Sequence, residues 1–165
     1  MSFVLVMAKE PLPGRVKTRL CPPLSPEEAA AFAEAALADT LEAVAHSGAD
    51  RRILALAGRP GPWLPSGFEV IGQRGGGLAE RLAAAWADAG APGIQIGIQI
   101  GMDTPQVGAA ELDAALTLVD AGRAVLGPAA DGGWWAIGGA FPDPAALFDG
   151  IPMSTPQTGS AQRAR

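Results

Sequence analysis

Two carboxylates and one cluster of cations hold most of the chemical capacity of this 165-residue sequence. Lys9, Arg15, Lys17 and Arg19 put four of the twelve cations into one short loop, with only Glu10 against them. Lys9 and Lys17 are the only lysines; every other cation is arginine. Lysine carries a compact, rotatable ammonium that suits phosphate oxygens, whereas arginine presents a planar fork. The loop therefore reads as a phosphate cradle, set against the plainer reading of a solvated basic turn. A P-loop is excluded, because that motif needs Gly and Lys adjacent and here Gly14 and Lys17 are three positions apart. Phosphate would be held by side chains, together with the backbone N–H groups that Gly14 leaves exposed.

Asp103 closes an apolar stretch in Gly101-Met102-Asp103-Thr104-Pro105. A carboxylate there is placed to hold Mg²⁺ or Mn²⁺, which bind through one or two carboxylates plus substrate phosphates and water. A cap on the helix starting near residue 109, or an Asx-turn before Pro105, accounts for it equally well. Asp131 sits in Gly127-Pro128-Ala129-Ala130-Asp131-Gly132-Gly133-Trp134-Trp135. Gly132 and Gly133 let backbone approach a ligand closely, and an Asp-Gly hairpin turn uses the same residues. Adjacent residues of a strand face opposite ways, so at most one of Trp134 and Trp135 stacks on a base or sugar. The single Cys21 and single His46 build no metal cluster. Gly75-Gly76-Gly77 lacks the third glycine of a dinucleotide fingerprint and follows too short a strand.

The elements that must position these groups follow from periodicity. Residues 2–8 are an apolar, β-branched strand. The loop 9–24 holds four prolines and a glycine, which excludes continuous helix or central strand. Ser25-Pro26-Glu27-Glu28 is a helix start with a capping box, and the Ala-rich helix runs to about Ala45. Strands follow at 52–57 and 68–71, a helix at 78–89, and a strand at 93–101. In that strand Ile94, Ile96, Ile98 and Ile100 face one way and Gln95, Gly97, Gln99 and Gly101 the other. A helix at 109–121 and strands at 124–126 and 134–137 complete the order β-α-β-β-α-β-α-β-β. From Phe141 onward only 145–148 is a short apolar piece. Strands separated by helices predict a three-layer α/β/α domain around a mostly parallel, mixed sheet, with ligands beyond the carboxyl ends of the strands.

Composition bounds the rest. Apolar residues are 48% of the chain and charged residues 18%, which fits one globular domain over residues 1–165. The net charge of −5 predicts no bulk attraction to nucleic acid or anionic membrane. No apolar run is long enough to span a bilayer, and Phe3-Val4-Leu5-Val6-Met7 starts without a basic n-region. The expected location is the cytoplasm.

Taken together, three segments resemble the radical-SAM/selenodomain-associated glycosyltransferase family. Ala8 to Leu20 looks like its opening signature, Gly101 to Pro105 its G-x-D-x-P segment, and Gly127 to Gly138 its G-P-x-x-D-G-G-aromatic segment. Gln73 with Leu78-Ala79-Glu80-Arg81-Leu82 is similar to its Q-x-G-x-x-L-G-x-R stretch. The resemblance implies a nucleotide-diphospho-sugar transferase (glycosyltransferase A) fold, shared with molybdenum-cofactor and 2-phospholactate guanylyltransferases. It implies that Lys9, Gly14, Arg15 and Lys17, with Gln73 and Arg81, hold nucleotide phosphates. Asp103 then holds Mg²⁺ or Mn²⁺, and Asp131, Gly132, Gly133 and Trp134 meet the sugar or acceptor. The expected activity is metal-dependent transfer from a nucleotide sugar to a small-molecule acceptor. Guanylyltransferase-like condensation of a nucleoside triphosphate with a phosphorylated acceptor and an inactive nucleotide-binding module are the alternatives. Relative to the family the chain is expected to be shortened at its C-terminus.

Overall fold

Strand β1 (Phe3–Lys9) lies in the middle of a six-stranded sheet of order β3-β2-β1-β4-β6-β5. The computed structural model describes residues 1–90 and 96–165. β2 (Arg51–Ala57), β3 (Glu69–Gly72) and β4 (Ile96–Gly101) run parallel with β1, and β6 (Trp134–Ala140) pairs antiparallel with both β4 and β5 (Val125–Pro128). This is the expected mostly parallel mixed sheet. The expected start of β4 at 93, including Ile94 and Gln95, lies outside the described residues.

Period-two alternation along β1 builds two apolar layers. Val4, Val6 and Ala8 face one side with Leu54, Leu56, Ile98 and Ile100. Helices α1 (Pro26–His46) and α3 (Ala109–Asp120) cover that side with Leu37, Leu41, Leu112 and Leu116. Phe3, Leu5 and Met7 face the other side with Ile53, Ala55 and Ile137. There α2 (Leu78–Ala89) contributes Leu82 and Trp86, and α4 (Pro144–Phe148) contributes Phe148. Trp86 is fully buried, with its ring 5.3 Å from Phe3 and 5.1 Å from Phe141. Aromatic pairs at these separations add about 0.5–1.5 kcal/mol beyond area burial. Gln99 lies on this side with its amide donating to the Leu82 carbonyl at 3.1 Å, as the alternation of β4 predicts.

Local chemistry fixes the element ends. The Glu28 N–H donates to Ser25 Oγ at 3.1 Å, and the Ser25 N–H to Glu28 Oε2 at 2.8 Å, closing the expected capping box of α1. A stripe at Ala29, Ala33, Ala36, Leu37, Leu41 and Val44 is buried, its small residues allowing close approach to the sheet. Two short helices, α4 and α5 (Thr158–Arg163), occupy the stretch after Phe141 that reads as mostly irregular. No helix among the described residues is long and apolar enough to cross a membrane.

At the amino ends of the strands, Arg51 donates to both Glu69 oxygens at 2.8 and 2.7 Å and to the Ala89 carbonyl at 2.6 Å. The fork ties β2 to β3 and to the end of α2. Its hydrogen bonds hold the Glu69 carboxyl below its ordinary range, against a smaller opposing effect of burial. A lowered folded-state pKa stabilises above the unfolded value near about 4.3 and is lost as pH falls through the folded one. The pair is largely exposed, so its contribution is below about 1 kcal/mol. Glu69→Gln should therefore lower the urea midpoint slightly at pH 7, and the difference from wild type should vanish in acid, once Glu69 is protonated in the folded state. Unfolding curves under the two conditions check this; a gap that widens in acid would contradict it.

Candidate active site

All the loops that carry the candidate groups open at one end of the sheet. The basic loop leaves the carboxyl end of β1, the Asp103 segment leaves that of β4, and the turn 129–133 leaves that of β5. β1 and β4 are neighbours, with Met7 opposite Gly101, so the basic loop and the Asp103 segment emerge side by side. The Lys9 N–H contacts Met102 Sδ at 3.3 Å, one residue before the carboxylate.

The decisive contact is between the two. Lys17 Nζ lies 2.8 Å from Asp103 Oδ1. Lys17 has φ 50° and ψ 31°, the left-handed region that non-glycine residues adopt at a cost of about 1–2 kcal/mol. Its side chain is 26% exposed and that of Asp103 is 63% exposed. An ion pair this open adds at most about 1 kcal/mol to stability, which does not repay the strain. Asp103 caps nothing: the N-cap of α3 is Gly108, whose N–H is taken by Glu111 at 3.0 Å. That removes the helix-cap alternative.

Lys9 and Arg15 line a cavity of about 380 Å³ with Glu10, Leu12, Ala57 and Gly58, between the ends of β1 and β2. Glu10, the one acid in the loop, accepts the Arg59 N–H at 2.9 Å. Gly14 is exposed with φ +74°, and a Cβ added there would meet nothing within 4 Å. The exposed carboxylate of Asp131 accepts the Gly133 N–H at 2.9 Å, and the turn around it closes through Gly132 N–H to Ala129 O at 3.1 Å. The hairpin reading and an available carboxylate hold together.

Three sequence candidates remain, Gln73, Arg81 and Trp134. The Gln73 amide donates to the Ala8 and Ala55 carbonyls at 2.8 and 2.9 Å, stitching β1 to β2. Only its carbonyl oxygen is left for a ligand. Arg81 lies in the first turn of α2, its Nε buried and without a partner among the described residues. Trp134 packs on the α2/α4 side, stacked on Phe148 at 6.3 Å, and does not line the cavity beside Asp103. That place belongs to Trp135, which with Thr104, Glu111, Pro128 and Ala130 lines an open cleft of about 400 Å³ between α3 and the β5–β6 turn. The reason is a β-bulge. Gly127 pairs with Ala136 and Pro128 with Trp134, so Trp135 is the extra residue and joins the face of Ala136. Thr104 and Trp135 are the site-lining residues that the motif reading does not single out.

A family model described as an uncharacterized protein conserved in bacteria, DUF2064, matches residues 29–155. The chain belongs to that family. The matched span includes Asp103, Asp131 and Trp135 and begins after the basic loop. No curated protein matches this DUF2064 member. Its fold is similar to a crystal structure from Desulfovibrio desulfuricans G20, provisionally named a nucleotide-diphospho-sugar transferase. The TM-score is 0.87 at 26% identity, over 99% of this chain and 74% of that one. It is also similar to Rv0371c from Mycobacterium tuberculosis H37Rv, at TM-score 0.54 and 21% identity over 84% and 70% of the two chains. A manganese complex of the same mycobacterial protein aligns at TM-score 0.50, with equal identity and coverage. The architecture is that of the nucleotide-diphospho-sugar transferases.

Proposed function

We propose that this DUF2064 member is a divalent-metal-dependent transferase that moves a sugar from a nucleotide sugar to a small-molecule acceptor in the cytoplasm. The observation that carries the reading is the 2.8 Å contact of Lys17 with Asp103, made beside a cavity lined by Lys9 and Arg15. The name of the Desulfovibrio neighbour and the manganese of the mycobacterial one support it. The resemblance to the radical-SAM/selenodomain-associated glycosyltransferases supports glycosyl over nucleotidyl transfer.

The donor set fits a hard divalent cation only in part. Asp103 offers one exposed carboxylate, and no group of three or more potential ligands exists among the described residues. One protein carboxylate is what Mg²⁺ or Mn²⁺ needs when a diphosphate and water complete the shell. Asp103 would hold such an ion, which would supply positive charge against the departing diphosphate. Lys9, Arg15 and Lys17 bind the same diphosphate, helped by the N–H groups near Gly14, and stabilise the charge that develops. Arg81 and the free oxygen of Gln73 face the nucleotide in this reading. The acceptor oxygen bonds to the anomeric carbon as that carbon's bond to the diphosphate oxygen breaks. The electron pair leaves with the nucleoside diphosphate, and the hydroxyl proton passes to Asp131 and on to water.

The rival, condensation of a nucleoside triphosphate with a phosphorylated acceptor, uses the same groups and releases pyrophosphate. Calorimetric titration with UDP- and GDP-sugars and with nucleoside triphosphates, each with Mn²⁺, tests the reading. Micromolar binding of a nucleotide sugar is the expected result. Failure of every nucleotide to bind would end it, and pyrophosphate release with GTP would favour the rival.

A further inference from the structure

We propose that the roughly 400 Å³ cavity between α3 and the β5–β6 turn is the acceptor subsite, and that it takes an uncharged, ring-bearing hydroxyl compound without phosphate or carboxylate. This rests on the transferase reading above and names its second substrate. The cavity adjoins Asp103 through its chain neighbour Thr104, and Asp131 through its neighbour Ala130. It shares no lining residue with the Lys9–Arg15 cavity.

Charge decides the class of ligand. No lysine or arginine is among the described lining residues, and the one charged group is Glu111. A phosphate placed here would meet Glu111 with no lysine or arginine among the lining residues to pair with. Like charge disfavours an anion beside Glu111, and no lining cation offsets it. A neutral ligand meets no such repulsion. Gln106 and Thr104 add uncharged polar groups, and Val107, Pro128, Ala129 and Ala130 add apolar surface. An apolar cleft with a few polar groups is the usual form of a small-molecule site.

Two further observations point to a ring with hydroxyls. The bulge in β6 turns the Trp135 indole to this cavity, and Gly127 leaves it room, because an added Cβ would overlap the indole. Bulges beside sites commonly re-aim one side chain in this way. The exposed face of a half-buried indole is a platform for a sugar or aromatic ring. The Thr104 hydroxyl is buried without a hydrogen-bond partner among the described residues. Rotation of that side chain toward the cleft would pair it with a ligand hydroxyl or a water.

Ligand-observed NMR titration of the full chain with p-nitrophenyl glucoside and with glucose 6-phosphate, each with GDP or UDP and Mn²⁺ present, tests the proposal. The aryl glycoside should bind at least tenfold more tightly than the sugar phosphate. Trp135→Leu should weaken the glycoside at least tenfold while leaving nucleotide affinity within twofold. Should that variant not fold, Thr104→Val carries the test with an expected loss of about fivefold, the order expected for one unpaired polar contact. Glu111→Gln, which keeps the helix cap, should improve the sugar phosphate at least threefold and leave the glycoside unchanged. Equal or tighter binding of the sugar phosphate would overturn the assignment, as would a glycoside affinity indifferent to the Trp135 and Thr104 changes. Nucleotide binding without glycoside binding would refute this inference alone. Absence of both would take the transferase reading with it.

Discussion

Asp103→Asn should collapse the metal dependence of nucleotide binding without unfolding the protein. The substitution keeps the shape of the side chain and an oxygen for Lys17, and removes only the charge. In wild type, Mn²⁺ held between Asp103 and a diphosphate should tighten nucleotide-sugar binding about a hundredfold over EDTA conditions, equivalent to about 2.7 kcal/mol. In the variant that ratio should fall close to one. Affinity in EDTA should hold or rise, because Lys17 no longer has a carboxylate 2.8 Å away competing for its ammonium. The melting temperature should barely move, since the side chain is mostly exposed and its ion pair adds little. Calorimetry in Mn²⁺ and in EDTA on both proteins reads all three quantities. A variant that keeps its Mn²⁺-dependent affinity within twofold would favour an inactive nucleotide-binding module, for which Asp103 is dispensable.

That contact was half legible in the sequence. The types were visible: two lysines in a chain that otherwise uses arginine, and a carboxylate closing an apolar strand. Their meeting was not, because it depends on β1 and β4 being sheet neighbours and on Lys17 taking a left-handed backbone. Neither strand order nor a strained φ has a local signature at a lysine. The fold was more readable, since β1, β4, α1 and α3 carry clean periods and α1 a complete capping box. The two C-terminal helices escaped for a physical reason. Five and six residues are too short to show a helical period, and the Asp143 cap on Ala146 stands among prolines and glycines that look like loop. Trp135 escaped for another. Alternation assigns faces only while the pairing is regular, and the bulge opposite Gly127 and Pro128 resets the phase at that residue. Gln73 shows the converse: its motif position fits a ligand contact, yet its amide hydrogens go to Ala8 and Ala55, which no motif discloses.

Gly132→Ala should be among the most damaging single-methyl additions in the molecule, and its damage should concentrate on transfer rather than nucleotide binding. Gly132 has φ +88°, where an L side chain is strained by about 1–2 kcal/mol. Its missing Cβ is also occupied space: an added methyl would come within 2.7 Å of the Pro156 Cα and carbonyl carbon. Those are backbone atoms, held by the Gly159 N–H bonding to Gly132 O at 2.8 Å, so no rotamer change can relieve the contact. Overpacking of this kind costs about 1–3 kcal/mol, and the two effects together predict a loss of about 3 kcal/mol, or roughly 8 °C in melting temperature. The neighbouring Gly133 is a control for stability alone, because an added Cβ there meets no backbone atom, only the Asp131 carboxylate with its oxygen at 3.2 Å. Gly133→Ala should cost less than about 1 kcal/mol. Relief of the Gly132 clash requires the turn and the 152–163 segment to part, which displaces Asp131 and the Ala130 wall of the acceptor cavity together. Lys9, Arg15 and Lys17 stand on the β1 loop and do not share that strain. Turnover should therefore fall at least a hundredfold in the folded variant, while nucleotide affinity stays within about threefold, the size expected when a reacting group is misplaced by about 1 Å. Thermal melts paired with calorimetry and a transfer assay separate the effects. Equal loss of affinity and turnover would mean that the turn supports the nucleotide as well, and a melting temperature within 2 °C of wild type would show that the Pro156 contact is not rigid.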